Sequence, residues 1–598
     1  MRAAGPRAEE NRPRPRESTD RRPLFALLAI TGFALVARLW DLGSRTAHWD
    51  EARVAYWTAR YVETGFFEYQ PIIHGPFLPQ VNRVVFAAVG PSDLASRLVV
   101  ALIGGLLPLA AWLLRDRLRD AELVALAALL AANPLLLYYS RFMRNDVVLA
   151  ALALLTLGLF VRAYDTGRVG YFHAGVLALA IAVSTMGNAI LYPLCWVGAL
   201  GLLLVHRWVW AYRDGSSPIA VTTAHAKRIA RGLSAWAGHL ALGAVTFVLV
   251  TIWFYAPRAG SEGEVGIDRL ASDPTLLPDV LAAATTESLD AMVSLWITGD
   301  MQDEPPYADA LAFFLETTWE GAFVVCALAV VGIAVEFRRG TPRDLVALTT
   351  YWGLVSVPGY PLAMDILSPW TPVHAIVPLC VPAAVGGAWL YRLGRDSLTA
   401  GNRTTAAVAG LVLLLCGAQI GTVAATSVYA NDQDRENPLV QYAQPAGEIG
   451  DRVGAMDRAV ERGEGDPALV YYGEDLVLED ERAASVKPID DPTAGNWYHR
   501  LPMPWYAAVV GIGPERTASA EGPEQLDDLL GHEPAVVIAP TSEREVLDDR
   551  LADYDSATFE TRLWASEGRS YSAVVIYVSE PDSESVSEPD PESVPASD

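Results

Sequence analysis

Lysine is almost missing. Of the 45 basic residues in this 598-residue chain, only Lys227 and Lys487 are lysines. Cysteine is nearly as scarce: Cys195, Cys326, Cys380 and Cys416 each fall inside an apolar run, and none has metal-site spacing. That excludes a disulfide framework as the organising device and leaves the four thiols as buried small hydrophobes. Arginine in place of lysine, with abundant Asp, Glu, Ala and Val, describes a salt-adapted organism with a GC-rich genome, because acidic surfaces stay soluble in concentrated salt. It says nothing of activity.

Net positive charge is lacking as well. The formal charge is −25, and all of it lies in the C-terminal part. From Ala430 onward there are 37 acidic against 12 basic residues, while the first 429 residues hold 33 of each sign. The chain is a neutral, apolar body joined to an acidic tail domain, and an acidic face argues against nucleic acid as a partner.

What the sequence has in quantity is long apolar runs. Stretches able to span a hydrocarbon core of ~30 Å recur at 23–40, 96–114, 122–139, 147–164, 171–186, 188–205, 235–255, 317–336, 344–363, 373–391 and 405–428. They predict a polytopic α-helical membrane protein of about eleven transmembrane helices. Seven arginines precede the first run, so the N-terminus is expected to be cytoplasmic. Alternation from there places the Arg-bearing segments 115–120, 162–170, 206–231, 338–343 and 392–403 on the same side. The other side receives 41–95, 140–146, the acidic loop 257–310 and the tail. The first run ends in "ARLWDLG", without a small-residue cleavage pattern, which predicts a retained helix.

The acidic tail contains β-branched runs at 468–473, 507–513, 535–540 and 571–578, alternating with helical patterns such as "EQLDDLL" and "SEREVLDDRLADY". That alternation predicts a small extracytoplasmic α/β domain. The expected organisation is a basic cytoplasmic N-terminus (1–22), a transmembrane domain (23–429), the α/β domain (430–578) and a disordered acidic tail (579–598) rich in Ser, Glu, Asp and Pro.

Two outer-side segments concentrate polar groups beside the membrane, where charge is costly to hold. The first is "RTAHWDEARVAYW" (45–57), followed by "HGPF" at His74; the second is "YYSRFMRND" (138–146). Both lie at helix ends on one side, so their side chains could converge at one membrane-surface pocket. An acidic pair after the first helix, a "SRFMRND" loop after the third and an outer α/β domain together resemble the GT-C glycosyltransferase superfamily. Within it the chain is most similar to the protein mannosyltransferase and aminoarabinose transferase branch, and to a haloarchaeal group of flippase activity-associated membrane proteins. The resemblance covers most of the chain and is specific for the superfamily, not for a substrate.

That resemblance implies a GT-C-like body and a polyprenyl (dolichyl) phosphate-linked sugar as donor. The acceptor, a lipid-linked glycan or a protein, lies on the outer face. It makes Asp50 and Glu51 the catalytic candidates, Asp50 as general base, and it gives Arg141, Arg144 and Asp146 the donor phosphate. His48, Arg53, His74, Tyr139 and Asn145 become possible substrate contacts. Asp146 either pairs with an arginine or completes a divalent-metal site with Asp50; no Asp-x-Asp occurs in the outer loops between spans, so the metal stays unknown. Each residue also has a plain structural role open to it: Asp50 and Glu51 as helix caps, Arg141 and Arg144 snorkelling to headgroups, His74 in packing.

The "WWDYG"-like acceptor motif of oligosaccharyltransferases has no counterpart, as no "WW" occurs; the tail instead offers "NWYHRLPMPWYA" (496–507), whose aromatics suit sugar stacking or core packing. Two functions follow. One is a membrane glycosyltransferase in cell-envelope or protein glycosylation. The other is a non-catalytic flippase-associated protein that binds or helps translocate polyprenyl-phosphate-linked sugars. The near absence of ionisable groups inside the predicted spans favours the first.

Overall fold

A computed structural model describes residues 21–70, 74–261, 263–294, 305–338, 341–364, 366–441, 443–463, 465–482, 494–562 and 573–580. The basic N-terminal segment up to residue 20 and the acidic tail beyond 580 lie outside them. The chain divides into two compact units: residues 1–43 with 58–441, and residues 44–57 with 442–598.

The first unit is helical. Among its described residues, eight helices are long and apolar enough to cross a membrane: Arg22–Leu39, Asp93–Leu114, Asp146–Thr166, Gly187–Arg213, Ala237–Tyr255, Tyr307–Phe337, Val373–Thr399 and Arg403–Ala430. The three remaining predicted spans are helical but shorter, for local reasons. The run at 122–139 breaks at Asn133–Pro134, where the Asn133 side chain accepts from Leu136 N (3.0 Å) and starts a new six-residue helix, Pro134–Tyr139. The run at 171–186 ends at Val183, where the Ser184 and Thr185 hydroxyls turn back onto the carbonyls of Ala180 and Ala182. The run at 344–363 gives the helix Asp344–Gly359 and then tightens into a 3₁₀ turn at Pro361.

Val373–Thr399 is the central helix, buried without interruption from Val373 to Ala388. It meets Tyr307–Phe337 at backbone distance. A Cβ on Gly332 would stand 1.8 Å from the Pro382 carbonyl oxygen, and one on Gly386 would stand 2.1 Å from that of Leu328. Small residues let membrane helices approach this closely, where packing and not hydrophobic transfer drives association. Gly332→Ala is therefore expected to cost about 1–3 kcal/mol by overpacking, read as a lowered unfolding midpoint in detergent.

At one end of this unit, ion pairs join five helices. Arg343, which precedes Asp344–Gly359, binds Glu122 on Asp120–Ala132 (2.7 Å) and Glu336 on Tyr307–Phe337 (2.8 Å). Arg392 on Val373–Thr399 lies 3.7 Å from Glu122, and Arg117 and Asp116 pair with Asp165 and Arg162 on Asp146–Thr166. The Arg-bearing segments 115–120, 162–170 and 338–343 thus share one end of the body.

In the second unit, five strands form a mixed sheet in the order β2-β1-β3-β5-β4: β1 (Leu469–Tyr472), β2 (Thr517–Ala520), β3 (Val536–Pro540), β4 (Tyr554–Glu560) and β5 (Ala573–Ser579). β1 pairs in parallel with β2 and β3, whereas β5 runs antiparallel to both β3 and β4. Alternate residues Val470, Tyr472, Val537, Ala539, Val575 and Tyr577 enter one core with Leu526 and Leu547 from the helices Pro523–Leu530 and Arg544–Asp548. The expected strand at 507–513 is instead the end of a helix, Met503–Val509, with Pro504 in its first turn and Gly511 in the left-handed region just beyond. The neighbour of β1 on the edge side is β2, which begins eight residues after that helix ends at Val509.

Candidate functional site

The predicted site residues divide between the two units. Ser44 to Trp57 group with the C-terminal domain, and the ties are made by backbone and polar side chains. Thr46 Oγ1 donates to Gly447 O (2.8 Å), Gln444 Nε2 donates to Thr46 O (3.0 Å), and Ala47 N donates to Tyr506 Oη (2.8 Å). Partners some 400 residues apart hold the loop that enters the helix Trp49–Thr64.

His48 caps this helix, a role the sequence suggested for Asp50. Its Nδ1 accepts from Asp50 N (3.1 Å), the second helical amide, while Glu51 Oε2 reaches back to accept from His48 N (3.0 Å), so His48 and Glu51 together satisfy the helix start. Glu51 also pairs with Arg45 (2.9 Å), and both are buried. Asp50 stands one residue earlier on a different azimuth, ion-paired with Arg53 (3.2 Å) with both side chains 13% exposed. Arg53 lies over the Trp49 ring, which stacks on Tyr498 (5.7 Å) and donates from Nε1 to Tyr498 O (3.2 Å). Burial raises the Tyr498 phenol above its ordinary pKa, with Arg53 opposing the shift.

Glu51→Gln is expected to keep the cap and lose the charge attraction to Arg45. That should cost about 1.5–3 kcal/mol of stability, measured by thermal unfolding, with any transfer activity changed only a few-fold.

The "NWYHRLPMPWYA" segment packs as core. Trp497 is buried against Tyr56 and Trp57, at 5.2 Å from each. Arg500 makes a two-pronged pair with Glu481 (2.7 and 2.9 Å) above the Tyr471 ring.

In the helical unit, "YYSRFMRND" turns between Pro134–Tyr139 and Asp146–Thr166. Arg141 and Arg144 have separate fates. Arg141 donates to the carbonyls of Arg38 (3.2 Å), Trp40 and Asp41 (3.0 Å), satisfying the C-terminal end of Arg22–Leu39, and lies over Tyr429. Arg144 is fully buried. Its Nε donates to Asp146 Oδ2 (3.3 Å), and its guanidinium lies 3.5 Å from the centre of the Trp370 ring. Asp146 Oδ1 lies 3.5 Å from His374 Nε2, whose Nδ1 meets the Tyr192 hydroxyl (2.8 Å) and whose ring stacks on Tyr360 (4.5 Å, 16°). Asn145, between the charged pair in sequence, is fully buried with neither amide atom hydrogen-bonded.

His74 is buried. Its strand-like segment bridges to Met186, and Gly75 is pressed so hard on the Ser184 carbonyl that a Cβ would fall 2.4 Å from it. Tyr139 donates to Leu439 O and packs beside Trp370.

The cluster thus brings together Arg144 and Asp146, and adds His374, Tyr192 and Tyr360, which sequence reasoning missed. The signal was available for His374, an ionisable residue inside a predicted span. No group of three or more His, Cys, Asp or Glu able to hold a metal occurs among the described residues. Chemically, the cluster offers a permanent cation fixed in orientation by a carboxylate and an indole face, as recognition of a phosphate requires.

Residues 73–222, which include this loop, match the dolichyl-phosphate-mannose-protein mannosyltransferase family, and residues 450–580 match the Agl23 flippase-associated protein C-terminal domain. The chain joins a mannosyltransferase-family segment to an Agl23-type C-terminal domain. It is a multi-pass membrane protein.

Its fold is similar to that of ArnT from Cupriavidus metallidurans. The apo structure aligns at 15% identity and TM-score 0.53 over 93% of this chain and 98% of that one. The undecaprenyl phosphate-bound structure aligns at 15% and 0.51 over 93% and 99%. The apo oligosaccharyltransferase of Archaeoglobus fulgidus aligns at 14% and 0.49 over 88% and 70%. No curated protein matches the chain in sequence. The expected GT-C-like fold is borne out, with the Agl23-type domain as its mixed α/β part.

Proposed function

We propose that this protein is a membrane glycosyltransferase that moves a sugar from a polyprenyl (dolichyl) phosphate-linked donor to an acceptor on the outer face, in cell-envelope or protein glycosylation. The observation that carries the reading is Arg144: a permanent charge fully buried in a membrane body, held by Asp146 and Trp370, inside the mannosyltransferase-family segment. Buried intramembrane charge is costly and is retained for function. An ArnT of similar fold is bound to undecaprenyl phosphate, which supports the donor class.

In this reading Arg144 serves the donor phosphate, with Asp146 and His374 fixing it, and Asp50 is the general base. Glu51 and Arg141 hold helix ends. His48, Arg53, His74, Tyr139 and Asn145 are the candidate substrate contacts, and a divalent metal stays optional. The body at 23–429 lies in the bilayer with the Arg-bearing end cytoplasmic, and the domain at 430–578 lies outside.

A second reading is favoured by the Agl23-type domain: a flippase-associated protein that binds the lipid-linked sugar without transferring it. Sugar transfer in membranes, with labelled polyprenyl-phosphate sugars as donors, separates the two. Transfer by the wild type supports the enzyme. No transfer, together with lipid-linked sugar accumulating on the cytoplasmic face when the gene is deleted, supports the second reading and refutes the first.

A further inference from the structure

Between the spans Gly187–Arg213 and Ala237–Tyr255 lies an 18-residue helix, Pro218–Ala235, with no buried residue. It is too polar to cross a membrane, yet it cannot leave the surface. Four residues link it to one span and a single residue, Trp236, links it to the other. At 100° per residue, Ile219, Ile229 and Leu233 fall on one stripe, and Lys227, Arg228 and Arg231 fall on the opposite side. The three apolar side chains are 77%, 61% and 55% exposed. No acidic residue occurs from 215 to 237, and one of the chain's two lysines is here.

The helix is also oriented. Trp208 Nε1 donates to Thr222 Oγ1 (2.8 Å), and Arg207 meets both His225 and Asp344 (2.8 Å to the carboxylate). Asp344 follows Arg343, so the helix lies at the ion-paired, Arg-bearing end of the body.

We infer that Pro218–Ala235 is a docking surface for anionic lipid headgroups, its apolar stripe set into the acyl boundary and Lys227, Arg228 and Arg231 binding the phosphates. An apolar stripe opposite a cationic one, tethered at both ends in the interface, is the geometry of an interfacial helix. Three surface cations supply the preference for negative lipid.

Amide hydrogen exchange of the full chain in nanodiscs tests this. One set is made of phosphatidylcholine alone and the other contains 30%, on the order of a physiological share, phosphatidylglycerol. Exchange over 218–235 is expected to be about 10²-fold slower in the anionic discs. In K227Q/R228Q/R231Q that difference should vanish while the rest of the exchange map is unchanged. Equal exchange of the wild type in both discs would overturn the inference, since an apolar stripe alone would not read headgroup charge. Protection that rises with protein concentration in detergent would overturn it in favour of a second copy of the chain.

Discussion

Asp50→Asn is expected to lower sugar transfer by about 10²–10⁴-fold, the contribution of a positioned general base, while leaving the protein folded. The variant keeps size, shape and a hydrogen-bonding oxygen. Its ion pair to Arg53, one helical turn on, is partly solvated, and such a pair is worth about 0.2–1 kcal/mol. The helix start does not depend on it, because His48 and Glu51 make the cap. Thermal unfolding and transfer rate, measured on the same preparation, should therefore separate. Glu51→Gln supplies the opposite pattern from the neighbouring position: stability falls and transfer stays. If Asp50→Asn transfers sugar within about threefold of wild type, well short of a general base's contribution, Asp50 is not the base.

The second large effect is one of stability. Asp146→Ala is expected to cost about 3–5 kcal/mol, because it strands a fully buried guanidinium without its carboxylate. The Trp370 face remains, but a cation–π contact replaces only part of an ionic one. Unfolding in detergent should show a large loss, and His374 Nε2 loses its carboxylate in the same step. Replacing both members, as in Arg144→Met with Asp146→Leu, should recover much of that stability, since a buried pair is often no better than well-packed apolar residues. The double variant should still bind no polyprenyl phosphate. A stable protein without donor binding would mark the pair as retained for its ligand; unimpaired binding would place the phosphate site elsewhere.

Much of the architecture was legible because hydropathy over twenty residues is a strong signal. All eleven apolar runs are helices, and eight are long enough to span. The three short ones turn on single features that a sliding window averages away: Asn133–Pro134, the Ser184–Thr185 hydroxyls, and Pro361. In the tail, the buried strands β1, β3 and β5 announced themselves as β-branched runs. The two edge strands did not. β2 reads "TASA" and β4 "YDSATFE", and an edge strand with one face to bury has little composition to display.

Site legibility was divided in the same way. Arg144 and Asp146 sit two residues apart, and their pairing was among the expectations. The separate duty of Arg141, three residues earlier, depends on the carbonyls of a helix a hundred residues away, which no local pattern contains. The capping role of His48 was hidden because His is an unusual cap, and Asp50 beside it is a common one. His374 lies 228 positions from Asp146 and comes to it only through the fold.

The ion pairs around Glu122 have a mechanical consequence. Glu122 is 1% exposed and is held by Arg343, which also grips Glu336, with Arg392 close by. Prising these four helix ends apart would leave a buried carboxylate without its cation, at a penalty far above thermal energy. Because the pairs are partly enclosed, concentrated salt screens them less than it screens the acidic exterior. That end of the body is a latched floor, the part of the helical unit that most resists being pulled apart.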